Sequence, residues 1–175
     1  MKPVRYSPLH SFVHKVASSR PGARFFAPIL HRLDAVALTL TRGRRTLSGL
    51  LAGVPTVVVT TTGARTGLPR TIPLLCIRDR EDPEVFALIA TNWGQNPHPA
   101  WYFNLKAHPQ AECSIDGHSA LYAAHEAAGE EYARFWNRAV DIYRGYLLYK
   151  QRIRGRAIPI MVMRPSAPQP AKLVP

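Results

Sequence analysis

Apolar residues recur at helical spacing between Phe25 and Leu40. Phe25, Phe26, Ile29, Leu30, Leu33, Val36, Ala37 and Leu40 follow an i, i+4, i+8, i+11 rhythm. This predicts an amphipathic helix, opened after Pro21-Gly22 and ended at Gly43. The pattern then turns to β. Thr56 to Thr62 is β-branched throughout and predicts a buried strand. Gly63 to Pro69 supplies a turn with two glycines and a proline. Strands over Arg70–Arg78 and Val85–Thr91, joined by the polar turn Asp79–Pro83, complete an antiparallel meander. After the loop Asn92–Pro97, a short helix is expected over Pro99–Lys106, with Pro99 where a missing N–H costs nothing. Ala111–Asp116 and Ser119–Glu126 should pair as a hairpin around Gly117-His118. Glu130–Tyr149 predicts one long helix, with Tyr132, Phe135, Trp136, Ala139, Val140 and Tyr143 on a single face. Ile158–Met163 is the last strand, and the Pro/Ala-rich tail from Pro165 should fray.

About six strands and three helices result, the strands coming in hairpins without strand–helix–strand alternation. The expected class is α+β, mainly antiparallel β: a small barrel flanked by helices. Residues 1–45 form a basic arm and helix, 46–165 the barrel domain, and 166–175 the tail. A chain of 175 residues with 46% hydrophobic content can bury a core as one domain. Cys76 and Cys113 fit no zinc spacing and read as reduced, buried residues. Met1–Pro8 is not followed by an apolar h-region, and no run of 18 apolar residues occurs, so a cytoplasmic location is expected.

Charge narrows the choice of partner. The net charge is +12, and residues 1–50 carry nine Lys/Arg against the single acid Asp34. Lys150, Arg152, Arg154 and Arg156 form a second basic group. Such a surface attracts nucleic acid, an anionic membrane or an anionic small molecule. No recognised nucleic-acid motif is present, and nucleic acid is not the expected partner. The chain also lacks H-E-x-x-H, G-x-S-x-G, G-x-x-x-x-G-K-[ST] and a G-x-G-x-x-G after a strand. His10 and His14 have helical spacing without nearby carboxylates and read as surface residues, so no metal site is expected. The acids are too scattered for a paired-carboxylate mechanism.

Three clusters remain. In Thr60–Arg70, hydroxyls, glycines and two arginines meet at one turn. Glycines let amides converge on an anion, and arginine adds a fork matched to phosphate. By itself this segment divides evenly between an anion site and an ordinary polar hairpin. Asn92–Asn104 holds two tryptophans, a tyrosine, three asparagines and a glutamine, a set suited to a planar heteroaromatic ring. Trp101 also reads as a core anchor for the short helix. Tyr143, Tyr146 and Tyr149 follow at i, i+3, i+6. Tyr143 continues the core stripe, while Tyr146 and Tyr149 should rotate toward a cleft or solvent. Burial without function and contact with substrate are equally open for them.

Together these clusters resemble the deazaflavin-dependent nitroreductase and F420H2-dependent quinone reductase family. The resemblance rests on G-R-x-x-L-S-G at Gly43–Gly49, T-T-T-G-A-R-T-G-x-P-R-x-x-P-L at Thr60–Leu74, H-P-A-W-Y-x-N-L-x-A-x-P at His98–Pro109 and I-P-x-x-V at Ile158–Val162. It implies a split β-barrel related to FMN-binding reductases, and coenzyme F420 as cofactor with FMN as the alternative. It implies that Thr62, Gly63, Ala64, Arg65, Thr66, Gly67 and Arg70 surround the cofactor's phosphate and tail. Pro73, Leu74, Ala90, Thr91, Asn92, Trp93, Gly94, His98, Pro99, Ala100 and Trp101 would line its ring. Tyr143, Tyr146 and Tyr149 would be the catalytic, substrate-closing residues. Leu75 replaces a tyrosine of a nitroimidazole-reducing relative, Thr91 and Asn92 replace its serine and lysine, and Ala64 replaces a second basic residue. The implied activity is hydride transfer from reduced F420 to a quinone, nitroaromatic or other conjugated acceptor. The alternatives are an FMN-dependent reductase on the same barrel and a non-catalytic F420 carrier. The basic N-terminal helix is a candidate for peripheral contact with an anionic membrane, and a homo-oligomer is left open.

Overall fold

The computed structural model describes residues 55–166. The predicted N-terminal arm and helix, the Gly43–Gly49 stretch and all but the first residue of the tail lie outside them. Seven strands and three helices follow one another. They are β1 (Thr56–Thr62), β2 (Pro69–Leu75), β3 (Ile77–Arg78), β4 (Phe86–Ile89), α1 (Ala100–Ala107), β5 (Gln110–Ile115), β6 (His118–Glu126), α2 (Gly129–Ile142), α3 (Gly145–Arg152) and β7 (Ile160–Pro165). All pairings are antiparallel, in the order β2-β1-β5-β6-β7-β4-β3.

That order explains how the sheet manages its edges. The outermost strands, β2 and β3, are consecutive in sequence and separated only by Cys76. The predicted strand Arg70–Arg78 is therefore two strands bent at a corner. Its first half pairs with β1 and its second half with β4. The Cys76 amide donates to the Pro55 carbonyl at 2.9 Å, and its side chain is fully buried. The sheet curls into a split barrel whose two edges are one continuous piece of chain. Pro73 sits in β2 opposite Val58, on an outer strand where a missing N–H is tolerated.

Two cores lie on opposite faces of this sheet. Inside the barrel, Val57, Val59, Cys76, Phe86, Leu88, Ala111, Cys113, Tyr122, Met161 and Met163 pack against Trp101 and Leu105 of α1. On the outside, Ile77, Val85, Ala87, Ile89, Ile160 and Val162 meet Phe135, Trp136 and Ala139 of α2 and Tyr146 and Tyr149 of α3. β4 and the first four residues of β7 are thus buried on both faces, and their sequences read as continuous apolar runs. β1 has one face in the barrel core and a half-buried face of Thr56, Val58, Thr60 and Thr62.

Polar contacts dock α2 onto the β3–β4 turn. Arg134 Nη1 lies 2.6 and 2.5 Å from the Asp79 carboxylate oxygens, and Arg138 Nε donates to the Arg78 carbonyl at 2.7 Å. Burial pushes the Asp79 pKa up. The Arg134 hydrogen bond and the Glu81 and Arg80 amides outweigh it and leave the carboxyl below its ordinary value.

Three expectations need correction. The β5–β6 turn is centred on Asp116-Gly117, not Gly117-His118. Ile115 pairs with His118, and both intervening residues have positive φ (54° and 87°), as a type I′ turn demands. The long helix predicted over Glu130–Tyr149 breaks after Ile142, where Tyr143 is extended (φ −142°, ψ 99°). Its ring folds back over Gly145, where a Cβ would collide with it. Helical periodicity survives a break that restarts nearly in phase, so the sequence pattern did not register it. The third correction, the burial of Tyr146 and Tyr149, belongs to the site.

Candidate functional site

The turn between β1 and β2 is closed by its own backbone. The Gly63 amide donates to the Leu68 carbonyl at 2.9 Å, and the Gly67 amide to the Gly63 carbonyl at 2.8 Å. A Cβ on Gly63 would lie 2.7 Å from Thr66 Oγ1 and 3.1 Å from the Leu68 carbonyl oxygen, so its floor is bare backbone. Gly67 takes the left-handed conformation at φ +67°. Thr62 is half-buried, while Ala64, Arg65, Thr66, Gly67 and Arg70 are exposed. Neither Arg65 nor Arg70 forms a salt bridge among the described residues. Two cationic forks therefore border a glycine turn without internal neutralisation.

Asn104, which the sequence placed only within the Asn92–Asn104 cluster suited to a planar ring, ties this turn to α1. Its Oδ1 accepts from the Ala64 amide at 3.0 Å, and its Nδ2 donates to Thr61 Oγ1 at 2.9 Å. Thr61 Oγ1 in turn donates to the Arg70 carbonyl at 3.3 Å. Both ends of the turn are thus held by one buried amide. A clue lay in the sequence, since Asn104 is a polar residue beside Trp101 and Leu105 on a helix facing the core.

The loop after β4 brings most of the remaining predicted ring-lining residues together. Ala90 and Thr91 are buried at its start, and Asn92, Trp93 and Gly94 form a single 3-10 turn. All three have positive φ, at 48°, 58° and 77°. For Trp93 this costs on the order of 1–3 kcal/mol. His98 is half-buried, Pro99 precedes α1 as its N-cap, Ala100 is exposed and Trp101 is in the barrel core. Leu74 packs against that same core, and Pro73 is its half-buried neighbour in β2.

What holds this loop is Arg156, which the sequence marked only as one of a basic group. Its guanidinium donates to the carbonyls of Ala90 (3.2 Å), Thr91 (3.2 Å), Gln95 (2.8 Å), Asn96 and Pro97 (3.4 Å). It also lies 3.2 Å from His98 Nδ1. Guanidinium nitrogens only donate, so Nδ1 accepts and a neutral His98 carries its proton on Nε2. Burial lowers the His98 pKa, the Arg156 charge lowers it further, and Glu126 opposes both. The Arg154 amide adds a bond to Asn96 Oδ1 at 3.1 Å.

The tyrosines lie across the loop. Tyr143, Tyr146 and Tyr149 are 5%, 4% and 4% exposed, so Tyr146 and Tyr149, expected to rotate toward a cleft or solvent with burial left equally open, are buried and do not turn to solvent. The helix break frees Tyr143 to fold against them. Rings 143 and 146 meet edge-on at 5.3 Å, and the Tyr143 and Tyr149 hydroxyls lie 3.2 Å apart. Burial is the first cause that raises all three phenol pKa values, so each keeps its proton at neutral pH. Gly94 meets this group directly. A Cβ there would lie 3.1 Å from Tyr149 Cδ1 and 3.4 Å from Arg152 Cδ. Leu75 packs against the same cluster.

Turn, loop and tyrosine helix thus form one connected arrangement, joined by Asn104, Arg156 and the Gly94–Tyr149 contact. Comparison with known proteins gives it a context. A family model for F420H(2)-dependent quinone reductases matches residues 30–165. Rv3178 of Mycobacterium tuberculosis, whose name carries that activity provisionally, is 32% identical over 118 residues, 67% of this chain and 96% of the relative. The F420H(2)-dependent quinone reductase Rv1261c of the same organism is 30% identical over 111 residues, 62% and 72% respectively. Among solved structures, an F420-H2 dependent reductase (FDR-A) aligns at TM-score 0.56 with 33% identity, over 63% of this chain and 94% of that one. A second, described as a domain-swapped dimer, aligns at TM-score 0.57 with 33% identity, over 63% and 80%. The chain belongs to the F420H2-dependent quinone reductase family, a group of oxidoreductases built on the split β-barrel.

Proposed function

We propose that this protein binds reduced F420 and delivers a hydride from it to a quinone or similarly conjugated acceptor. The observation that carries the reading is the connected arrangement of glycine turn, left-handed loop and buried tyrosines. The residues present fit the cofactor. A phosphate and acidic tail need cationic forks and bare amides, and the turn offers Arg65 and Arg70, without an ion pair among the described residues, around a glycine floor where a side chain on Gly63 would collide. A planar ring needs a shaped wall, and Asn92–Gly94 with His98 supplies one stiffened from below by Arg156.

When bound, the cofactor supplies the hydride chemistry, and the chain's own part is binding, orientation and proton supply. Thr62, Gly63, Ala64, Arg65, Thr66, Gly67 and Arg70 would hold the anionic end. Pro73, Leu74 and residues 90–94 and 98–101 would border the ring. Tyr143, Tyr146 and Tyr149 exclude water from the acceptor side and keep neutral O–H groups available to an oxygen that gains negative charge. Because the Tyr143 and Tyr149 hydroxyls already share a bond, Tyr146 is the candidate donor, with no such bond among the described residues. Leu75, in the same cluster, would shape acceptor choice.

Titration with oxidised F420, reduced F420 and FMN, followed by turnover with menadione, tests the reading. Saturable F420 binding with menadione reduction is expected. Binding of FMN alone would transfer the protein to flavin chemistry, and tight F420 binding without turnover on quinones or nitroaromatics would make it a carrier. Tyr146→Phe should retain F420 affinity and lose at least tenfold in menadione kcat, within the usual range for a lost proton donor. An unchanged kcat removes Tyr146 from the reaction. The basic residues 1–50 are proposed to bring the enzyme to an anionic membrane, where apolar quinones partition. Retention on anionic but not neutral vesicles tests that separately.

A further inference from the structure

We propose that Arg156 is a positioning residue, whose guanidinium, clasped by the main-chain carbonyls of residues 90–97 and by His98 Nδ1, sets the conformation of the loop that receives the ring end of the cofactor. The proposal rests on the F420 reading for its functional consequence, and on geometry alone for the loop.

Three consecutive left-handed residues do not hold themselves in place. The loop's own bonds are few: Gly94 N–H to Thr91 O at 3.0 Å, Gln95 N–H to Asn92 O at 3.0 Å, and Asn92 Nδ2 to Pro97 O at 3.0 Å. The carbonyls of Ala90, Thr91, Gln95, Asn96 and Pro97 instead converge on one cation. Arg156 meets them from Nε, Nη1 and Nη2 together, a fan of acceptors that a planar fork matches and a lysine ammonium, with three donors at one point, does not. Burial lowers the Arg156 pKa, yet guanidinium remains charged at any working pH. No carboxylate bonds to Arg156 among the described residues, where its hydrogen-bond partners are main-chain carbonyls and His98 Nδ1.

Position in the chain gives the contact its reach. Arg156 lies between α3, which carries Tyr146 and Tyr149, and β7, buried in both cores. Gly155, at φ +76°, lies between Arg154, whose amide bonds Asn96 Oδ1, and Arg156, whose side chain meets the loop carbonyls. One residue thus fixes the ring wall relative to the tyrosines. It makes no contact with Gly63–Arg70, so its influence should be confined to the ring end.

The experiment compares Arg156→Lys with wild type and with Arg65→Ala. Affinity is measured for F420 and for its deazaflavin riboside, which lacks phosphate and tail. Arg156→Lys should weaken both ligands by the same factor, on the order of tenfold, and lower menadione kcat further through misalignment. Arg65→Ala should weaken F420 and spare the riboside. Hydrogen exchange on the ligand-free protein gives a second readout: Gly94 and Gln95 amides should exchange at least tenfold faster in Arg156→Lys, with β1 and β5 amides unchanged. Wild-type F420 binding, together with riboside affinity and Gly94 exchange within twofold of wild type in the variant, would overturn the proposal. If wild-type protein binds neither ligand, the F420 reading fails, and the exchange data alone decide whether Arg156 holds the loop. Should Arg156→Lys not fold, the wild-type Arg156 Nε–H resonance serves instead. Slow solvent exchange is expected, and a rapidly exchanging guanidinium refutes the clasp.

Discussion

Replacing Asn104 by alanine tests whether one amide holds the anion turn in shape. The side chain is 8% exposed and makes two bonds, accepting from Ala64 N–H at 3.0 Å and donating to Thr61 Oγ1 at 2.9 Å. A typical hydrogen bond contributes about 0.5–1.5 kcal/mol net, so the pair is worth about 2 kcal/mol. Ala64 is exposed, and its freed amide recovers water, which keeps the loss near that figure. Thr61 is buried, but its hydroxyl retains the Arg70 carbonyl as acceptor. At this chain length about 2 kcal/mol lowers Tm by roughly 4–8 °C. Thermal unfolding of wild type, Asn104→Ala, Thr61→Val and the double variant measures the loss and its partition. The cycle should show about 1 kcal/mol of coupling between the two side chains. F420 affinity should fall in parallel, since the turn loses its only side-chain tie to α1 among the described residues. A Tm within 1 °C of wild type in Asn104→Ala, with unchanged F420 affinity, would refute the bracket.

Two further outcomes follow from groups packed where change is hard to absorb. Gly94→Ala should cost about 1–2 kcal/mol for the left-handed backbone alone. It should cost more because the new Cβ lies 3.3 Å from Tyr149 Cα, which is backbone and cannot swing aside. A fall in Tm and a loss of menadione turnover are expected, and wild-type values for both would show that loop and α3 are not in contact. Stability should also decline in alkali. Burial raises Cys76 from 9.0 to about 11 and Cys113 from 9.0 to about 12. A raised folded pKa contributes stability that is complete below the unfolded value and is lost as pH climbs toward the folded one. Between pH 9 and 11 each thiol should therefore subtract about 1.4 kcal/mol per pH unit. Tm measured from pH 8 to 11 should fall, with a shallower slope in Cys113→Ala; a flat profile would contradict the burial of both thiols.

The parts of this fold that could be read in the sequence are those set by local chemistry. The β-branched run at Thr56–Thr62, the Gly63–Pro69 turn and the Trp101 anchor follow from residue type and spacing alone. The corner at Cys76 was not legible, because Leu74–Ile77 is an unbroken apolar run with no turn residue in it. Only the pairing partners on either side, β1 and β4, reveal the bend. Asn104 and Arg156 escaped for a related reason. Asn104 accepts from an amide 40 residues away and Arg156 donates to carbonyls up to 66 residues away, and a main-chain N–H or carbonyl leaves no trace in the residue type that bears it. The tyrosines were found as a group, yet their burial goes with a helix break at Tyr143, whose ring lies over Gly145.

The two ends of the site are supported differently, and the difference bears on what each can do. The ring loop leaves β4, a strand buried on both faces, and is gripped at once by Arg156 from the segment leading into β7. A wall that must hold reacting atoms at near-attack distance gains from such an anchorage, since small displacements there are costly to rate. The anion turn leaves β1, which is buried on one face only, and its arginines stand in solvent. Exposed guanidinium groups on flexible stems adapt to ligands of different extent and lose little affinity per contact. The proposed F420 site would therefore be strict at the ring and permissive along the tail. Acceptor choice would be decided at a third place, where Leu75 leaves the barrel corner to join the tyrosines.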